Sequence, residues 1–72
     1  METYIYYFND YLGRIEKTKN DRNGNKRYFL EIYKKDGYGN YRFIDKIKVF
    51  EHNTSQNAVE YIINEQYKTK EG

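Results

Sequence analysis

Residues 27–35 read Arg-Tyr-Phe-Leu-Glu-Ile-Tyr-Lys-Lys, and their strict alternation decides the fold. A strand sends successive side chains to opposite faces of its sheet. Tyr28, Leu30 and Ile32 therefore share one face, while Arg27, Phe29, Glu31, Tyr33 and Lys35 share the other. One face is apolar enough to be covered. The other mixes aromatic rings with charge and is left to water or a partner.

Moving outward, Asp36-Gly37-Tyr38-Gly39-Asn40 is a glycine-bearing turn. Residues 41–50 alternate again, with Tyr41, Phe43, Ile47 and Val49 on one side and Arg42, Lys46 and Lys48 on the other. Asp45 breaks the apolar side and Ile44 the polar side, so a bulge or register shift is an open alternative there. Upstream, residues 18–26 are polar around Asn23-Gly24, a pair that readily adopts φ > 0 and reads as a hairpin loop. Residues 4–8 (Tyr-Ile-Tyr-Tyr-Phe) are aromatic and β-branched, which suits a strand. Asn9-Asp10 then reads as a two-residue turn into a strand at about 11–18, with one long strand bulged near Gly13 as the alternative.

The chain closes on a helix over about 54–67. Asn53, Thr54 and Ser55 are each competent N-caps. Ala58, Val59, Ile62, Ile63 and Gln66 form one stripe, with Tyr61 beside it. Short turns make neighbouring strands antiparallel. The expected fold is thus α+β: an antiparallel three- to four-stranded meander (about 3–8, 11–18, 27–35, 41–50) packed on one C-terminal helix. The helix is expected to cover Tyr28, Leu30, Ile32, Phe43 and Ile47.

Seventy-two residues make one domain, with a thin margin of burial. There is no cysteine, so neither a disulfide nor a thiolate metal site can reinforce it. A homodimer would supply the missing burial. The opening residues carry no basic stretch followed by an apolar one, so no signal peptide is expected, and no apolar run approaches the roughly 20 residues that span a bilayer. A soluble protein in the cytoplasm of a host cell is the expectation. Asparagine, lysine and isoleucine are abundant and proline is absent, the bias of an AT-rich genome such as those of many Gram-positive bacteria and their phages.

Catalysis needs a nucleophile with a base, a carboxylate pair or a metal. His52 is the sole imidazole, beside Thr54 and Ser55 with no third group to orient it; the acids are scattered singly. No phosphate-cradling loop or cofactor motif occurs. A non-catalytic binding protein is expected, with no cofactor and no metal. Ten tyrosines point the same way. Tyr28, Tyr41 and Tyr61 are expected in the core, while Tyr4, Tyr6, Tyr7, Tyr11, Tyr33 and Tyr38 exceed what so small a core holds. Exposed tyrosine gives large contact area at low entropy cost.

Charge is uneven. Residues 14–48 carry eleven basic and five acidic residues, a net +6, and the remainder carries −4. Arg27, Phe29, Tyr33, Lys35, Tyr38, Arg42, Lys46 and Lys48 are the candidate binding residues, able to stack on bases and meet phosphates or to dock on protein. An isoelectric point near 8.8 and interspersed acids tilt the balance toward a protein partner, with DNA as the alternative.

The pieces Tyr28-Phe29-Leu30-Glu31-Ile32-Tyr33, Asp36-Gly37, Tyr41-Arg42-Phe43, and Phe50 through Thr54 to Ala58 and Tyr61 occur in that order. Residues 28–67 in this way resemble the arm-type DNA-binding domain of tyrosine recombinases. That likeness implies a three-stranded sheet backed by a helix and inserted in the major groove, with Arg27, Tyr33, Arg42, Lys46 and Lys48 facing DNA. The chain departs from the pattern at Glu51-His52-Asn53, where basic residues would stand. Read as a free-standing chain, it also resembles in size and sheet-plus-helix habit the small phage anti-defence proteins, anti-CRISPR inhibitors among them. The functional expectation that follows is a phage or mobile-element accessory protein that inhibits a host nucleic-acid-handling or defence machine by stoichiometric binding.

Overall fold

The computed structural model describes residues 3–17, 23 and 26–67. Four strands run in sequence order: β1 (Thr3–Phe8), β2 (Tyr11–Lys17), β3 (Tyr28–Lys35) and β4 (Tyr41–Val49). They form one antiparallel sheet in the order β1-β2-β3-β4. A single 3-10 turn (Glu51–Asn53) leads to the helix α1 (Gln56–Tyr67). The fold is the α+β meander with one C-terminal helix. The loop expected at 18–26 and the tail at 69–72 lie largely or wholly outside the described residues.

Residues 3–17 form two strands rather than one bent strand. Phe8 and Tyr11 pair across the two-residue turn, and Asn9 supplies the φ of 53° that the turn needs, a conformation asparagine tolerates. The register continues without a break through Gly13. That glycine serves close approach instead. A Cβ placed on it would lie 2.6 Å from Val59 Cγ1 and 3.3 Å from Leu30 Cδ1, so the helix sits directly on the β2 backbone.

Ser55 caps α1, its Oγ accepting from Ala58 N at 3.2 Å. The path of α1 follows from three contacts. The Tyr6 hydroxyl on β1 donates to Thr54 O at 3.1 Å, Val59 rests on Gly13, and Tyr67 stacks on Tyr11 with centroids 5.3 Å apart. The link from β4 therefore crosses to the far side of the sheet before the helix begins. Ile15, Leu30, Ile32, Val59 and Ile63 are fully buried between the layers, with Tyr28 and Val49 nearly so. Each such side chain stabilises the fold by roughly 1.5–3 kcal/mol relative to exposure.

Several sequence-based placements are corrected. Tyr41 and Phe43 were expected under the helix, but the register shifts between Ile32 and Tyr33: Ile32 pairs with Asp45 and Tyr33 with Phe43, so Ile44 is the extra residue. One extra residue reverses the face of everything beyond it. Phe43 is therefore exposed on the uncovered side, and Arg42, opposite Lys34, moves to the helix side. Tyr61 was expected in the core and is 66% exposed. Gln66 is exposed as well, and Tyr67 packs against the core in its stead.

Candidate partner-binding face of the sheet

The pairing register arranges the uncovered face into three rows. Tyr7, Leu12, Tyr33 and Phe43 form the first; Ile5, Arg14, Glu31 and Lys46 the second; Thr3, Glu16, Phe29 and Lys48 the third. Directly opposite residues on antiparallel strands share a face and touch across it. The first row is thus wholly uncharged and aromatic-rich. Tyr33 and Phe43 meet edge to face, centroids 5.7 Å apart at 75°. Tyr7 meets Tyr41, 5.9 Å away by centroid, although β1 and β4 stand three strand spacings apart, about 14 Å. Both rings must lean inward over β2 and β3 to do so.

The second row is an ion-pair network. Arg14 Nη1 donates to Glu16 Oε2 at 2.8 Å and to Glu31 Oε1 at 2.9 Å. The Tyr33 hydroxyl donates to the same Glu31 oxygen at 2.9 Å, and Lys46 Nζ stands 3.9 Å from Glu31 Oε2. Burial alone would raise the Glu31 pKa. The hydrogen bonds from Tyr33 and Arg14 and the charges of Arg14 and Lys46 overcome that and hold it below the ordinary carboxylate value. The bond to Glu31, then burial, pushes the Tyr33 phenol up. Lys46 also lies over the Phe29 ring, 5.0 Å from its centroid.

The candidate residues separate accordingly. Phe29, Tyr33, Lys46 and Lys48 come together on this face, and Lys35, opposite Tyr41, extends it toward the β3–β4 turn. Tyr38 is 91% exposed at the tip of that turn. Arg42 leaves the face: its Nε donates to Asp36 Oδ2 at 2.9 Å. Asp36 also accepts from Tyr38 N and Asn40 N; the Arg42 bond first, then these, hold its pKa low. Arg27 precedes β3 and lies outside the rows. Ile5, Tyr7, Leu12, Arg14 and Glu16 were not among the sequence candidates. The parity of β1 and β2 would have found them, once the Asn9-Asp10 turn was taken as the link.

The hydroxyls beside His52 are committed to the backbone. Thr54 Oγ1 donates to Glu51 O, Ser55 caps α1, and the exposed imidazole stacks on Phe50 with planes 3° apart. No group of three or more His, Cys, Asp or Glu among the described residues could hold a metal ion. No helix among them is long and apolar enough to cross a membrane. A cleft of about 400 Å³ lies between the β1–β2 turn and the end of α1. Its walls include the stacked Tyr11 and Tyr67 rings, with Lys34 Nζ over Tyr11. Burial, then the charge of Asp45, raises the Tyr67 phenol.

Comparison with protein families, characterised proteins and solved structures finds no match to this chain.

Proposed function

We propose that this chain is a non-catalytic binding protein that works by laying the uncovered face of its sheet against another protein. The observation that carries the proposal is the pairing of exposed apolar surface with the Arg14–Glu16–Glu31–Lys46 ion-pair network. Ile5, Tyr7 and Phe43 are 52, 62 and 56% exposed on that face, beside an Arg14–Glu31–Lys46 row in which each charge has an opposite neighbour. Apolar and aromatic anchors ringed by satisfied polar groups are the anatomy of a protein–protein contact. A phosphate backbone favours unopposed cations instead, and Glu16 and Glu31 stand in the middle of this face. The wider proposal is stoichiometric occlusion of a host nucleic-acid-handling or defence protein by a phage or mobile-element chain; composition and size support it.

The experiment is affinity capture from AT-rich Gram-positive lysates with the wild type, Phe43→Lys, and Tyr61→Lys as a control on the exposed side of α1. Capture of one protein in stoichiometric amount by the wild type and Tyr61→Lys, lost with Phe43→Lys, is the expected result. Salt-sensitive DNA binding with no captured protein would replace this reading with the DNA-binding one.

A further inference from the structure

The two edges of the sheet are built differently. The outer strand β4 carries Arg42, Asp45, Lys46 and Lys48 and is bulged at Ile44. Charges and bulges are the devices by which a sheet edge avoids pairing with another strand. The other edge, β1, has none of them. Its six residues Thr-Tyr-Ile-Tyr-Tyr-Phe contain no charge and no proline, and its register with β2 runs unbroken from Thr3 to Phe8. Tyr4, Ile5 and Tyr7 are 45, 52 and 62% exposed. One side of this strand bonds β2, and on the other the backbone groups of Thr3, Ile5 and Tyr7 have no strand partner among the described residues, along a strand about 20 Å long.

We infer that β1 pairs antiparallel with β1 of a second copy of this chain, joining two four-stranded sheets into one of eight strands. Identity of the strands makes the contact self-complementary. A two-fold axis at Ile5 sets Ile5 against Ile5, Tyr4 against Tyr6 and Thr3 against Tyr7, each pair on one face and none with like charge. Among the described residues the nearest charges across the seam, Arg14 of each copy, stand three strand spacings apart, about 14 Å and beyond the roughly 8–10 Å screening length. Each is already neutralised by its own Glu16 and Glu31. No side chain on the edge selects a foreign sequence, so a second copy fits best. The axis stands perpendicular to the sheet. Both helices therefore lie on one side, and the two uncovered faces merge into a continuous surface.

This inference goes beyond the partner-binding face and is separable from it. Sedimentation of the wild type from micromolar to millimolar concentration reads the mass, with Ile5→Lys and Phe43→Lys alongside and circular dichroism as the folding check. The wild type and Phe43→Lys are expected at twice the protomer mass and Ile5→Lys at one protomer. Hydrogen exchange on the wild type supplies a test free of mutation: β1 amides that point away from β2 gain protection, and lose it on dilution. A monomeric wild type at all concentrations overturns the inference, as does open-ended assembly. Dissociation by Phe43→Lys with β1 amides unprotected places the contact on the open face and overturns it too. Loss of lysate capture with an intact dimer in Phe43→Lys separates the partner face from the seam.

Discussion

The two faces of the sheet are made from the same strands and solve opposite problems. Under α1, the contact is close: Gly13 has no side chain, so Val59 and Ile63 reach the sheet, and Leu30, Ile15, Ile32, Val59 and Ile63 are at most 1% exposed. On the other face, rings and charges share the surface. Tyr33 packs on Phe43 yet donates to Glu31, and Glu31 gathers Arg14 and Lys46. The first face excludes water by shape. The second tolerates water because Arg14, Glu16, Glu31 and Lys46 hold one another in ion pairs, and it leaves Ile5, Tyr7 and Phe43 uncovered. Stability resides in one layer and the proposed recognition in the other, which lets substitutions separate them.

The sharpest separation is expected from Ile63→Ala. It empties a fully buried position between the layers and should cost about 2–5 kcal/mol, enough to unfold much of so small a domain by thermal or urea denaturation. An effect below about 1 kcal/mol would mean that the helix is not seated as described. Gly13→Ala comes next. The added methyl meets Val59 Cγ1 at 2.6 Å, so the Val59 side chain or the helix that carries it must shift, at about 1–3 kcal/mol. Restoration of stability in the double substitution Gly13→Ala with Val59→Ala, relative to the sum of the single changes, would establish the contact between them.

On the uncovered face the effects are smaller and depend on pH. Glu31→Gln is expected to cost about 0.5–1.5 kcal/mol near neutral pH, since its partners remain partly solvated. The sign follows from the depressed Glu31 pKa. Its carboxylate stabilises the fold fully above the ordinary value of 4.5, and that contribution disappears as pH falls through the lower folded value. Wild type and Glu31→Gln should therefore converge in stability on acidification, read by denaturant melts at a series of pH values. A constant gap down to strong acid would show that the network does not act through ionised Glu31. Phe43→Lys, at 56% exposure, should change stability least of all while abolishing partner capture.

Much of this was legible from alternation. Tyr28, Leu30 and Ile32 against Phe29, Glu31 and Tyr33 defined both faces of β3, and the stripe at Val59, Ile62 and Ile63 defined the helix. The Asp45 and Ile44 irregularity was visible as a break but not as a direction. Which residue is extra depends on the partner strand, and only the Ile32–Asp45 and Tyr33–Phe43 pairs settle it. That one choice exchanges Phe43 for Arg42 on the uncovered face. The tyrosines divide for the same reason. Tyr6 and Tyr11 read as surplus, yet both pack against the core, while Tyr61 read as core and faces out. A phenol with an apolar ring and a polar tip is compatible with either side, so local pattern cannot assign it.

The sequence by itself determined the order of the elements, the antiparallel meander and the apolar sides of β3 and α1, while leaving open whether residues 3–17 make one strand or two. Those follow from period and turn chemistry, which are local. The tertiary structure alone decided the phase of β4, the role of Gly13 as the seat of the helix, and the union of Arg14, Glu16, Glu31 and Lys46 into one network. Each of these depends on distances between residues far apart in the chain, and such distances exist only once the register is set. The aromatic surface evident from ten tyrosines thereby resolves into a buried share, an aromatic row on the uncovered face through Tyr7, Tyr33 and Phe43, and an uncharged β1 edge.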